Sequence, residues 1–148
     1  MRIRPATAED LETVVCHRIA MFRDMGYADA VLAAIEQVSR PLLSHALANG
    51  VYHGVLAEAD GAGVMGGGGV LVVPWPGTQP HRAWIQNVYV VPAFRRRGIA
   101  REIMRTLIDW CRTQGFNSVN LHASTDGRPL YEQLGFETTN EMRLGLLS

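Results

Sequence analysis

The stretch VVPAFRRRGIAREIM, residues 90–104, decides how this chain is read. An apolar β-branched run ends at Pro92, three consecutive arginines follow (Arg95, Arg96 and Arg97), and Gly98 opens an amphipathic segment. A chain that leaves a strand and turns through glycine into a helix exposes backbone N–H groups that no intrahelical carbonyl reaches. Those donors, with the positive end of the helix dipole, make an anion site. Gly98 lets backbone approach a ligand without an intervening Cβ, and Ala100 is nearly as small. Guanidinium forks suit phosphate oxygens. Three local readings fit: a solvated charged turn, a nucleic-acid contact, or a cradle for a di- or polyphosphate.

The rest of the chain narrows these. Its 148 residues predict one domain spanning 1–148, large enough to bury a core. A formal net charge of zero makes the arginine cluster a local feature and argues against a nucleic-acid partner, as does the lack of an aromatic series beside it. Arg2, Arg4, Glu9 and Asp10 interrupt any secretory core, and no apolar run reaches membrane-spanning length. We therefore expect a cytoplasmic protein with no membrane partner. Cys16 and Cys111 suggest no disulfide framework, and Cys111 falls in an apolar helical pattern as a buried thiol. His17, His45 and His81 lack ligand spacing, so no metal is expected.

Periodicity predicts a mixed α/β order. MRIRP reads as a first strand, and Thr7-x-x-Asp10 as a capping box ahead of a helix carrying Leu11, Val14, Val15, Ile19 and Phe22. Gly26 ends it. Residues 28–48 read as helical in two pieces around Pro41. Segments 51–59 and 64–73 form a hairpin, and a proline-rich loop (74–81) leads to a strand over 82–91. The glycines Gly66–Gly69 run into a strand instead of a helix, marking a bulge or close strand packing and no phosphate loop. A helix over 98–113, a strand over 118–124, a short helix over 128–134 and a final pair of strands complete the order.

Arg95-x-x-Gly98-x-Ala100 after VYVVP resembles the (R/Q)xxGx(G/A) pyrophosphate signature of the GNAT-type N-acetyltransferases. LYEQLGF, residues 130–136, resembles that superfamily's second signature, and IRPATAEDL its opening strand and helix. The resemblance implies a single-domain fold with a central mixed twisted β-sheet, splayed at the acetyl-coenzyme A (acetyl-CoA) site and flanked by helices. It implies acetyl-CoA as co-substrate, with its pyrophosphate on the amides of Arg96, Arg97, Gly98, Ile99 and Ala100, and with Arg95 and Arg101 beside it. The pantetheine arm would pair with main-chain groups of Val88, Tyr89 and Val90, and Ser124 would face the coenzyme.

The implied reaction moves an acetyl group to a primary amine of a small molecule, peptide or protein. Tyr131 is implied as general acid to the departing thiolate. A backbone N–H in the bulged strand, that of Val90, would meet the developing oxyanion. Some relatives carry acids where Gln86 and Asn87 stand, and these amides cannot act as carboxylate bases. His53, His122, Glu58 and Glu141 are conceivable bases, and none is singled out. Asp24 and Glu141 are candidates to hold the acceptor's ammonium group. Relatives often form homodimers, and the apolar final strand with Leu144, Leu146 and Leu147 could pair across subunits. The competing reading is a catalytically silent acyl-CoA-binding sensor or regulatory module.

Overall fold

The computed structural model describes residues 1–147. Five strands form one sheet in the order β1-β2-β3-β4-β5. They are β1 (Arg2–Pro5), β2 (Tyr52–Ala59), β3 (Gly63–Pro74), β4 (His81–Val90) and β5 (Val119–Leu121). The first four pair antiparallel, and β5 joins β4 in parallel. The helices are α1 (Leu11–Asp24), α2 (Asp29–Asn49), α3 (Ile99–Thr113) and α4 (Arg128–Gln133). This is the mixed α/β sheet flanked by helices that the sequence predicts.

Alternation along the strands sends side chains to two separate cores. On one face, Ile99, Ile103, Met104, Leu107 and Cys111 of α3 bury against Val55, Val70, Ala83, Ile85 and Val90. Burial there pushes the Cys111 thiol up to about 11, so it is an inert core group. On the other face, Val14 and Val15 of α1 and Leu43 and Ala46 of α2 close over Tyr52. The capping box forms as expected: the Thr7 N–H donates to Asp10 at 2.8 Å, and Thr7 Oγ1 accepts from the Glu9 N–H.

Two expectations are corrected. Pro41 does not divide its segment, because α2 runs unbroken from Asp29 to Asn49. Pro41 lies on the exposed side, where water can take up the carbonyl it leaves without a donor. The final pair of strands does not form: residues 136–147 contain neither helix nor strand. A strand needs a ladder partner, and the sheet ends at β5. Met142, Leu144, Leu146 and Leu147 are accordingly exposed.

Candidate active site

The site begins with a defect in β4. Gly67 pairs with Tyr89 and Gly69 with Gln86, so Asn87 and Val88 together stand opposite Gly68. This is a β-bulge, and Asn87 adopts the left-handed conformation it requires, with φ of 63°. Asn87 is only 4% exposed and is held by its side chain. Its Oδ1 accepts from Arg18 Nη1 at 2.7 Å, and its Nδ2 donates to the Tyr52 hydroxyl at 3.0 Å. Burial pushes the Tyr52 phenol up to about 12. The glycine run makes room for this arrangement. A Cβ on Gly69 would fall 2.1 Å from the Tyr52 ring, and one on Gly66 would fall 2.5 Å from the Tyr89 carbonyl.

Beyond the bulge, β4 loses its neighbour. The pairing with β5 stops at Ile85 and Leu121. The Val91 N–H turns toward β3, donating to Met65 at 2.8 Å, while the Val90 carbonyl turns the other way to accept from Arg95 Nε. Strand alternation points the Val90 N–H in that same direction, into the gap between β4 and β5.

The arginine turn closes one end of the gap. Arg96 and Gly98 are both left-handed, with φ of 65° and 79°. α3 then starts at Ile99 without any side-chain cap, so its first N–H groups stay open. A cleft of about 900 Å³ joins these parts. It is lined by Val88, Tyr89 and Val90, by Arg95, Arg96, Gly98, Ile99, Ala100 and Arg101, and by Ser124, Tyr131 and Asp24. The residues implied for the coenzyme, Arg97 apart, line this one cleft together with Tyr131 and Asp24.

Several are already engaged. Arg95 Nη2 bonds Asp24 at 2.8 Å, and its guanidinium sits over the Tyr89 ring. Arg101 donates to Gln133 of α4. Ser124 Oγ accepts from the Gly127 N–H at 3.1 Å, shaping the loop that leads to α4. Tyr131 is half-buried against Gly127 and Phe136, and burial raises its pKa. Arg97 does not line the cleft and lies over Phe94 instead. Glu141 is also outside it, bonded to His122 at 2.9 Å. The His122 ring stacks on Trp84 just past the last β4–β5 pair, and Arg143 flanks Glu141 at 3.6 Å. Of the other residues weighed as bases, His53 stacks flat on Trp110, and Glu58 pairs with Arg2 and Arg4.

The sequence reading missed Arg18, Ser39, Tyr52 and His17. Arg18 Nε donates to Ser39 Oγ at 2.9 Å, tying α1 to α2 as well as to Asn87. His17 is 9% exposed beside Tyr89, and burial lowers its pKa. An asparagine breaking a β-branched strand opposite a glycine run was the available signal, because Asn tolerates left-handed backbone better than most residues. Among the described residues no group of three or more His, Cys, Asp or Glu side chains is placed to hold a metal ion.

Comparison with known proteins agrees with this geometry. Residues 33–136 match the acetyltransferase (GNAT) family. N-acetyltransferase 8 of Homo sapiens is 32% identical over 81 residues, covering 53% of this chain. The match spans only 36% of that protein's own length. A GCN5-related N-acetyltransferase from Ralstonia eutropha JMP134 superposes with a TM-score of 0.93 at 37% identity, covering 98% of this chain and 97% of that one. A predicted acetyltransferase from Clostridium acetobutylicum, solved with acetyl-CoA, superposes with a TM-score of 0.88 at 25% identity over 98% of this chain and 96% of that one. With sheet, bulge, open helix terminus and family match in agreement, the chain belongs to the GNAT acetyltransferase family.

Proposed function

We propose that the chain is an acetyl-CoA-dependent N-acetyltransferase acting on a primary amine. The observation that carries this is the cleft itself, which joins the unpaired edge of β4 to the uncapped start of α3. The fit to the coenzyme is chemical. Open N–H groups and Arg96 suit a pyrophosphate, and an unpaired strand edge suits an extended, amide-rich arm. When bound, acetyl-CoA supplies an acyl thioester already activated for attack.

The residues then divide the work. The Val90 N–H faces the gap and serves the developing negative charge on the acyl oxygen. Tyr131, kept protonated by burial, serves the departing thiolate as proton donor. An alkyl ammonium near the lysine value of about 10.4 must lose a proton before it attacks. Among the described residues no side chain lining the cleft stands out for that proton transfer: His122 and Glu141, bonded to each other, lie outside it. Asn87 and Gln86 take no part in moving protons. Asn87 instead fixes the bulge that opens the strand edge.

Calorimetric titration with acetyl-CoA, beside an amine panel assayed for free thiol release, tests the reading. Micromolar binding with turnover of any amine supports it. Binding with no turnover across a broad panel favours a silent acyl-CoA sensor. No binding overturns both.

A further inference from the structure

We propose that Arg18 anchors a carboxylate on the acceptor, so that the substrate is a primary amine carrying a carboxylate, an amino-acid-like molecule. This rests on the acyl-transfer reading above. Two of the three nitrogens of the guanidinium have partners, and both partners are neutral: Ser39 Oγ and Asn87 Oδ1. The Phe22 ring lies beneath it at 4.9 Å. Among the described residues Arg18 has no carboxylate partner, whereas other arginines of the chain are paired with acids. Asp10 and Glu58 go to Arg4, Glu12 and Glu36 to Arg40, and Asp24 to Arg95.

A structural pin does not need this charge. A neutral donor would hold Asn87 and Ser39 equally well without burying an unbalanced cation. Arg18 is substantially desolvated, and burial works against its charged form. Its remaining amino group, Nη2, is not sealed away, since every fully buried polar side-chain atom among the described residues has a partner. It therefore keeps some access to solvent next to Asn87, at the margin of the cleft and not on its lining. Val88, the next residue after Asn87, lines the cleft, as does Met21 one turn further along α1. One free amino group on a single cation matches a carboxylate. A phosphate would call for further positive charge, and burial disfavours the charged form of the adjacent His17.

Matched pairs test the proposal on the native chain: glycine with glycinamide, phenylalanine with phenylalaninamide, glutamate with its α-amide. Acetyl-CoA binding is measured separately by calorimetry. A charge-assisted hydrogen bond predicts at least about tenfold higher kcat/KM for the carboxylate member of a pair. Arg18→Gln should erase that preference through KM, with Arg18→Lys retaining part of it, and the acetyl-CoA titration of each variant reports any loosening of the bulge through the lost Asn87 contact. If Arg18→Gln does not fold, the pairs on the native chain still decide. Equal use of both members, or turnover of uncharged amines alone, overturns the anchor and leaves the transferase reading standing. Failure to bind acetyl-CoA overturns the transferase reading beneath it.

Discussion

The Tyr131 ring rests on the backbone of Gly127, so closely that a Cβ at residue 127 would stand 2.7 Å from a ring carbon and 3.0 Å from the hydroxyl oxygen. Gly127 has φ of −82°, which any residue accepts, so the glycine is there for space and not for conformation. The loop is folded to leave room for one phenol, and that phenol faces the cleft.

Tyr131→Phe should lower kcat by about 100-fold or more while leaving acetyl-CoA affinity within about threefold, since a positioned proton donor contributes about 10²- to 10⁴-fold. Gly127→Ala should lower kcat in the same direction with Tyr131 still present, because the ring must move. Steady-state kinetics with calorimetry separates both effects from lost binding. Because burial raises the Tyr131 pKa, its failure as a donor falls above about pH 10, and kcat should not decline from this cause at pH 8 to 9.

The two arginines of the turn should differ. Arg96 lines the cleft in a left-handed conformation, whereas Arg97 lies over Phe94. Arg96→Glu should weaken acetyl-CoA binding more than Arg97→Glu, by about tenfold in low salt and less in high salt. Arg96→Gly relieves about 1 kcal/mol of backbone strain but adds a similar amount of unfolded-state freedom. Its stability should therefore stay within about 1 kcal/mol of the native chain while coenzyme affinity falls. Urea melts beside titrations check this.

The arginine turn, the capping box and the β2–β3 hairpin were legible because each is a local pattern of a few residues. α3 was legible because Ile99, Ile103, Leu107 and Cys111 keep a helical period. The residues of the proposed cradle were legible for the same reason: Arg95 to Arg101 are one continuous stretch. The other half is assembled across distance. Arg18, Ser39, Tyr52 and Asn87 come from α1, α2, β2 and β4, and no spacing in the sequence joins them. The expected closing strands failed for a similar reason. An apolar run such as LGLL says nothing about whether a sheet edge awaits it, and Pro41 could not declare that it would face solvent.

His17 makes stability depend on pH. Burial lowers its folded pKa below the unfolded value of about 6.5. Between those two values the unfolded chain binds the proton and the folded chain does not, so stability is full above about pH 6.5 and falls as pH drops. His53, lowered by burial as well, acts in the same direction. Unfolding free energies from urea melts should fall between pH 7.5 and 5.5, by at most about 1.4 kcal/mol per pH unit for His17 and by less for the more exposed His53. His17→Gln should flatten that slope. Asp10 and Glu58, whose carboxyls are held low by arginines, lose their contribution only in a more acidic window, as pH falls through about 4 and below.

Asn87→Asp asks whether the charge of Arg18 matters beyond its hydrogen bond. The substitution keeps the size of the side chain, and aspartate tolerates the left-handed backbone that residue 87 adopts. Arg18 Nη1 would then face a carboxylate in place of an amide oxygen. The Tyr52 hydroxyl, which accepts from Asn87 Nδ2 at 3.0 Å, can turn its own proton toward the new oxygen. No polar atom need be stranded, so the variant should fold, with a melting midpoint within a few degrees of the native chain. What changes is the charge, because the guanidinium now has an internal anion. The advantage of carboxylate-bearing amines over their amides should disappear or reverse, with acetyl-CoA affinity unchanged. If the preference survives an internal carboxylate at residue 87, Arg18 is not the group that reads the acceptor's charge.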